Sequence, residues 1–223
     1  MGFASTPVRG GTPCLWVAMA AIAMWSAPAS ASKPLRQGTL SVGILASYDL
    51  LRLQDLNTQI DIYNQETGTR LNDLTDGVGV LGEVRYAFWR KVSLGVELGY
   101  FSGASDDPVY GERIEVSGVP FSVTVGWLVY EENDLSFRVL SGLGYLFDGT
   151  FRQVGGREAS ESDFLFQIGG ELEWRPVTMV GLSLQGLARQ ANVQQPAGFA
   201  TDLDFSGGTI RAGIRGHWGG HDE

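Results

Sequence analysis

The feature that most constrains this sequence is an alternation of apolar with polar or small residues, which recurs along most of its 223 residues. In the stretch GVLGEVRYAFWRKVSLGVELGYFSG (79–103), for example, Val84, Tyr86, Leu94 and Val96 alternate with charged residues, serine, alanine or glycine. Successive side chains of a β-strand point to opposite faces, so the pattern predicts strands with one apolar face. No helical pattern of comparable length competes with it, and we predict an all-β protein.

Eight segments carry this alternation, and each is long enough to cross a membrane as a tilted strand, which takes about 9–11 residues. The segments are Thr39–Leu51, Gly77–Trp89, Val92–Gly103, Ser117–Tyr130, Leu135–Asp148, Asp163–Arg175, Val177–Gln190 and Phe205–Trp218. After Trp25 the sequence has no apolar run that would form a transmembrane helix. Insertion into a membrane would therefore use these strands.

The connections between the segments alternate in length. Short turns are expected at Arg90-Lys91, at 131–134 and at Pro176, and long polar connections at 52–76, 103–116, 149–162 and 191–204. Short periplasmic turns and longer extracellular loops are typical of up-and-down transmembrane barrels. The sequence therefore predicts an eight-stranded antiparallel up-and-down transmembrane β-barrel over 39–218.

Aromatic residues mark both ends of the predicted strands. Four tryptophans lie at the short-turn end and three tyrosines lie toward the long loops: Trp89, Trp127, Trp174 and Trp218, and Tyr48, Tyr100 and Tyr145. Aromatic side chains with a polar edge concentrate at the two membrane–water interfaces. We therefore expect these seven residues to be interface aromatics.

The polar strand faces carry isolated charges among glycine and serine, and no lysine follows Lys91. A soluble lipocalin-like barrel would expose a surface dense in Lys and Glu, so we favour apolar faces that meet lipid. The interior of an eight-stranded barrel is only just wide enough for side chains. We predict a lumen charge network of Glu83, Arg85, Glu97, Arg138, Glu171, Glu173, Arg189, Arg211 and Arg215. Two roles stay open for it: paired structural charges or a narrow, gated water path.

The first 31 residues are predicted to be a signal peptide that is removed. Arg9 precedes the apolar run 15–25, and Ala29-Ser30-Ala31 offers a small-x-small cleavage site. Residues 32–38 would then be a short periplasmic segment and residues 219–223 a periplasmic tail.

The composition of the mature chain limits its chemistry and its partners. Cys14 lies in the predicted signal peptide, so the remainder needs no disulfide. The net charge is −9 for the whole sequence and becomes −10 once Arg9 is removed. Nucleic-acid binding usually needs a basic stripe, and we expect no nucleic-acid partner.

Three stretches, 79–103, VSGVPFSVTVGW (116–127) and LSFRVLSGLGYLF (135–147), contain the motifs Gly-x-x-Gly-Glu, Leu-Gly-x-Glu-Leu-Gly-Tyr and Gly-x-Gly-Tyr. In them the chain resembles the small outer-membrane β-barrel domain of the OmpA/OmpX kind, over Thr39 to Trp218. The segment TIRAGIRGHW (209–218) is similar to the aromatic-ended last strand by which such barrels are recognised for assembly. The resemblance implies a bacterial outer membrane, insertion by the barrel-assembly machinery, and contact with outer-membrane lipid and lipopolysaccharide. We expect no peptidoglycan-binding domain after the barrel.

Candidates for catalysis are few. The two histidines, His217 and His221, lie at the C-terminal end, and no serine or aspartate partner stands out in the sequence. Outer-membrane barrel enzymes resemble one another in using a histidine base beside Ser or Asp, so we expect no enzymatic activity. The acidic loops, including Asp106-Asp107, lack the regular ligand spacing of a calcium loop. We therefore predict no cofactor and no metal-site residues, with one alternative left open: loop carboxylates that share divalent cations with lipopolysaccharide phosphates or contact a basic partner.

The leading hypothesis is a monomeric, non-enzymatic envelope protein that contributes to membrane integrity or to surface interaction through its acidic extracellular loops. One alternative is a narrow pore or conduit for small solutes or apolar ligands, as in OmpW-like barrels. Another is a soluble periplasmic lipid-binding barrel.

Overall fold

A computed structural model describes residues 37–107, 109–153, 158–193 and 203–220. The predicted signal peptide, most of the segment 32–38, and the residues after Gly220, including His221, lie outside this description. Eight long strands and one helix dominate: β1 Thr39–Leu51, α1 Gln54–Thr67, β2 Asp76–Trp89, β3 Val92–Asp106, β4 Arg113–Glu132, β5 Leu135–Gln153, β6 Glu158–Val177, β7 Val180–Gln190 and β10 Gly207–Gly219. The short strands β8 Asn192–Val193 and β9 Leu203–Asp204 pair with each other.

The eight long strands form one closed antiparallel barrel in the order β1-β10-β7-β6-β5-β4-β3-β2. The ring closes where β1 pairs with β10, in an unbroken register from Thr39 opposite Gly219 to Leu51 opposite Gly207. Closure gives the backbone groups of the first and last strands partners, which a strand in lipid requires. The predicted fold class is confirmed.

The connections at one end of the barrel are tight, and we call it the short-turn end; the opposite end is the loop end. Two-residue turns lie at Arg90-Lys91 and at Asn133-Asp134. The turn predicted at Pro176 is wrong, because β6 continues to Val177, which pairs with Val180. Pro176 instead lies in a bulge of β6 between Trp174 and Val177, a position where a residue without a backbone N–H is tolerated.

Strands β4, β5 and β6 contain 20, 19 and 20 residues, well beyond the roughly 9–11 that cross a membrane. Their loop-end parts occupy much of 103–116 and 149–162, so the prediction of long loops there is wrong. In β4 the inward parity is constant, but the inward residues change from Ser122 and Gly118 to Val116 and Ile114. In β5 the strand has a bulge between Leu146 and Gly149, where Asp148 has a φ of 46°. The extra residue reverses which parity faces inward, and the two-residue alternation breaks although the strand continues.

The first long connection contains the helix α1, which the sequence analysis did not predict. Leu53, Leu56 and Ile60 are buried along one side of it, a spacing that matches a helical face. The helix ends at Gly68, whose φ of 75° allows its backbone N–H to bond the carbonyl of Asn64, as is usual for a C-terminal glycine. Among the described residues, no helix is long and apolar enough to cross a membrane.

An apolar core fills the loop end of the barrel. It joins α1 and the segment before β2 to the inward faces of β3 to β6 and to the chain around β9, and consists of Leu51, Leu53, Leu56, Ile60, Leu71, Leu74, Phe101, Ile114, Val116, Leu146, Phe151, Leu165, Ala191, Leu203 and Phe205. We call α1 together with the loop-end parts of β4 to β6 (113–119, 149–153 and 158–165) the outer module.

Candidate functional site

The barrel exterior is apolar between its two ends. Outward side chains of this part include Val80, Val84, Leu94, Val96, Leu98, Ile210 and Ile214, all of them exposed. The tryptophans Trp89, Trp127, Trp174 and Trp218 lie on the same exterior toward the short-turn end, and Tyr48, Tyr100 and Tyr145 toward the loop end. A surface this apolar has to be covered by lipid rather than water.

The outer module has the opposite polarity. Ile114, Val116 and Phe151 point inward there and are buried, whereas Arg113 and Arg152 point outward and are exposed. An apolar inside with a polar outside is the arrangement of a protein surrounded by water. The change of polarity along β4 and β5 therefore marks the level at which the barrel leaves the membrane.

The inward faces at membrane level carry charges. All nine residues of the predicted network, Glu83, Arg85, Glu97, Arg138, Glu171, Glu173, Arg189, Arg211 and Arg215, are buried inside the barrel. The structure divides them into three groups that follow one another from the short-turn end to the loop end.

The first group, which we call the Glu171 cluster, consists of Glu83, Arg85, Arg138, Glu171, Glu173 and Arg215. Glu171 accepts hydrogen bonds from Arg85 Nη1 at 2.7 Å, from Arg138 Nη1 at 3.0 Å and from Arg215 Nη2 at 2.7 Å. Gln185 Nε2 donates a further bond to Glu171 at 2.9 Å. A buried carboxylate tolerates its loss of water only with partners of this kind.

The other two acids of the cluster, Glu83 and Glu173, accept hydrogen bonds from the same arginines. Glu83 accepts from Arg215 and, at 3.3 Å, from Arg85 Nη2. Glu173 accepts from Arg138 Nη1 at 2.5 Å and from Arg215 Nη1 at 3.1 Å. Three guanidiniums therefore face three carboxylates from strands on opposite sides of the barrel, and their side chains fill the lumen at this level.

The second and third groups lie closer to the loop end. Glu97 accepts hydrogen bonds from Arg211 Nη1 at 3.0 Å and from Gln167 Nε2 at 2.7 Å. Arg189 Nη1 lies 3.1 Å from Asp49 Oδ1, and its guanidinium carbon lies 4.8 Å from the centroid of the Phe101 ring. This ring belongs to the apolar core of the loop end, so the charged lumen meets the core at Arg189.

The charges of the lumen balance. In the three groups, five carboxylates, from Asp49, Glu83, Glu97, Glu171 and Glu173, face five guanidiniums, from Arg85, Arg138, Arg189, Arg211 and Arg215. A sixth buried guanidinium, that of Arg175 on β6, donates to Glu131 at 2.6 Å. A neutral, mutually bonded set costs far less to bury than unpaired charges would. Pairing also leaves each charged group held by at least one neighbour rather than directed at a water path.

His217 occupies a different position from the one its place in the sequence suggests. It is buried inside the barrel, with Nδ1 2.8 Å from Ser41 Oγ and Nε2 2.6 Å from Glu173 Oε1. No serine or aspartate partner stands out in the sequence, but the structure places a serine and a glutamate beside this histidine. The three residues come from β10, β1 and β6, and only the barrel closure brings them together.

Several inward-facing residues lie outside the predicted set: Ser41, Asp49, Ser122, Gln167, Arg175, Gln185 and His217. Their inward parity on the alternating strands was the available signal, and Asp49 shows how it can be overlooked. It follows Tyr48 near the end of β1, where a carboxylate can equally belong to a loop, and its partner Arg189 is 140 positions away.

At the loop end, we call the outer module together with the chain between α1 and β2 and the β3–β4 connection the cap. The carboxylate of Asp107 connects two segments of this cap. It accepts hydrogen bonds from the backbone N–H groups of Arg70 at 2.5 Å, Val109 at 2.7 Å and Tyr110 at 3.1 Å. Burial raises the pKa of this carboxyl, but the three N–H groups and the charge of Arg70 outweigh burial and hold the pKa below its usual value. Asp107 thus links the chain after α1 to the β3–β4 connection.

Within the described parts of the chain, no three His, Cys, Asp or Glu side chains are grouped so that they could hold a metal ion. The carboxylates of the lumen are instead engaged by arginine, as the distances above show.

No family model and no curated protein matches this sequence. Among solved structures, the outer membrane protein OprG from Pseudomonas aeruginosa is similar, with a TM-score of 0.50 and 11% identity over 82% of this chain and 97% of that one. The N-terminal β-barrel domain of OprF from the same organism gives 0.46 and 13% over 82% and 100%, and Ail of Yersinia pestis gives 0.45 and 13% over 82% and 99%. The apolar exterior and the OprG likeness agree with the predicted outer-membrane location: the chain has the fold of the small eight-stranded outer-membrane β-barrels.

Proposed function

We propose that this protein is a non-conducting, non-enzymatic outer-membrane barrel that anchors a rigid, acidic outer module at the cell surface. The observation that carries the proposal is that the barrel is filled at two levels. The Glu171 cluster fills the lumen toward the short-turn end, and the apolar core fills the loop end. The lumen charges act as structural pairs in this proposal rather than as a selectivity filter.

The outer module supports a role in surface interaction. Exposed carboxylates surround it, from Asp55, Asp61, Glu66, Asp73, Asp76, Asp106 and Glu161. The apolar core fixes α1 to the strands beneath it, so this surface does not have to be ordered when a partner binds, which saves part of the free-energy cost of association. We propose lipopolysaccharide and outer-membrane lipid as the surroundings of the barrel, and a monomer as its functional form.

Conductance of the refolded protein in planar bilayers tests the proposal. We expect no stable single-channel steps, because buried side chains of the Glu171 cluster and of the apolar core occupy the lumen at two levels. Stable steps would contradict the proposal and support the alternative of a narrow pore for small solutes.

Two double variants show whether the measurement could detect a channel. E171A/R215A removes an acid and a base together, so the net charge is unchanged while the lumen loses two large side chains; we expect it to conduct. E171Q/R215Q neutralises the same two residues but keeps most of their volume, and we expect it to stay closed. Conduction by the glutamine variant at the level of the alanine variant would show that charge, not volume, closes the barrel.

A further inference from the structure

A cavity opens into the barrel at the short-turn end, beside the turn between β2 and β3. Its enclosed space measures about 20 Å³, room for about one water-sized group, and it widens into an open mouth. Five cationic side chains line it, Arg85, Arg90, Lys91, Arg138 and Arg215, and Glu173 is the anionic one.

The cavity has a surplus of positive charge in an otherwise acidic protein. The guanidiniums of Arg85, Arg138 and Arg215 are balanced by the three carboxylates of the Glu171 cluster. Arg90 and Lys91 of the turn are exposed and add two positive charges at the mouth. The sequence as a whole has a net charge of −9, and the β4–β5 hairpin at the same end carries Glu131, Glu132 and Asp134, so the attraction for an anion is confined to the mouth of the cavity.

Arg138 places unused donors in the wall of the cavity. Its side chain is 94% buried, and both of its hydrogen bonds within the described chain leave from Nη1, to Glu171 and to Glu173. Nη2 and Nε therefore remain available to a ligand. The hydroxyl-bearing side chains of Ser41 and Ser93 also line the cavity.

We propose that the mouth of this cavity binds a phosphate group, one of whose oxygens enters the enclosed space. Arg90 and Lys91 would attract it to the mouth, and Arg138 would donate to its oxygens from the wall. Guanidinium and ammonium groups form strong charge-assisted hydrogen bonds with phosphate oxygens, and the partly enclosed position strengthens them relative to a fully exposed surface. The site lies at the opposite end from the acidic outer module and does not depend on the function proposed for it.

Two sources can supply this chemistry. The exposed ring of Trp89 forms part of the rim of the cavity, at the level where aromatic residues meet lipid headgroups. A phosphate group can thus belong to a phospholipid of the adjacent leaflet or to a free phosphate ion that enters from the aqueous side.

The test compares the protein with two double variants in an uncharged maltoside detergent, at constant ionic strength. R90Q/K91Q removes the two cations at the mouth, and R52Q/R113Q removes two exposed cations at the loop end and lowers the net charge equally. Isothermal titration with inorganic phosphate measures the first source. Native mass spectrometry after extraction from phosphatidylcholine vesicles, with and without phosphatidylglycerol, measures retained lipid.

We expect saturable binding of phosphate or selective retention of phosphatidylglycerol by the protein and by R52Q/R113Q. Binding should fall roughly tenfold in R90Q/K91Q, as expected for the loss of two partly exposed ionic contacts. Phosphate binding identifies the free ion as ligand, and retention of phosphatidylglycerol alone identifies the headgroup. Failure to bind either probe overturns the proposal, as does an equal loss in the two double variants, since net charge would then explain the effect.

Discussion

Glu171 is the residue whose partners say most about the lumen, because it is fully buried and bonds three arginines at once. Glu171→Gln keeps the volume but leaves those guanidiniums short of a counter-charge. Removing one member of a buried ionic network costs about 3–5 kcal/mol, and we expect a loss of that order in the free energy of unfolding, measured by urea titration in detergent micelles.

The matched control for this prediction is Glu115→Gln. Glu115 lies 4.0 Å from Arg113 on the exterior of the outer module, and an exposed pair contributes about 0–1 kcal/mol. If both variants lost the same stability, the lumen charges would not form the cooperative network that the distances describe.

Gly181 leaves room for the contact between His217 and Glu173. A Cβ atom at this position would lie 2.5 Å from Glu173 Oε1 and 3.0 Å from His217 Nε2, whereas a Cβ at Gly186 on the same strand would meet nothing within 4 Å. We expect Gly181→Ala to destabilise the barrel by about 1–3 kcal/mol through overpacking, and Gly186→Ala to cost nothing. Thermal unfolding followed by heat-modifiable gel mobility measures both, and equal midpoints would argue against this packing.

The sequence predicted single residues well only where alternation alone decides the outcome. The inward positions of Glu83 and Arg215 follow from strand parity, whereas the contacts that Ser41 and Glu173 make with His217 depend on strands that are distant in the chain. The register between strands cannot be read from local spacing, so a histidine near the C-terminus gave no sign of its partners.

At the scale of elements, α1 is held by its apolar side rather than by intrinsic helix preference. Leu56 and Ile60 are buried in the loop-end core, and Ile62 on the same helix is 43% exposed. Leu56→Ala should weaken the docking of α1 by about 2–5 kcal/mol, whereas Ile62→Ala should change it little. Amide hydrogen exchange checks this: protection should fall in α1 and persist in β7 and β10. Loss of protection throughout the barrel would show that the cap and the barrel unfold together.

The three hydrogen bonds that the Asp107 carboxylate accepts make the cap sensitive to pH. The pKa of Asp107 in the folded protein lies below the ordinary value of 3.8, so its contribution is present above pH 3.8 and is lost as the pH falls through the folded-state pKa. Exchange of the amides of Val109 and Tyr110 should therefore accelerate at acidic pH beyond the intrinsic effect of pH. Asp107→Ala should remove this dependence, and Asp106→Ala, which changes an exposed neighbour, should keep it.

The elements also show where pattern reading stops. The extensions of β4 and β5 beyond their predicted ends escaped the pattern for two reasons. The bulge after Leu146 reverses the inward parity of β5, whereas β4 keeps its parity and its inward residues change from polar or small to apolar at Val116 and Ile114. The helix had a signal in Leu53, Leu56 and Ile60, but a single short apolar row in a polar connection is weak beside eight strands. What it packs against, the inward faces of distant strands, was not available locally.

For the whole molecule, the reversal of polarity predicts how deep each position lies in the membrane. Val96 faces outward midway along β3 and lies opposite Val84 and Val123, both apolar and exposed. Ser117 lies on β4 in the outer module, opposite Ser102 and Thr150. An arginine near the bilayer midplane costs about 2–4 kcal/mol and one near the interface about 0–1 kcal/mol.

Val96→Arg should therefore destabilise the folded barrel in phosphatidylcholine vesicles severalfold more, in free energy, than Ser117→Arg, as measured by guanidinium titration. In maltoside micelles, which adapt more readily to a charge than a bilayer does, the difference should shrink. Equal costs in vesicles would place both positions at one depth and would contradict a membrane boundary at the change of polarity.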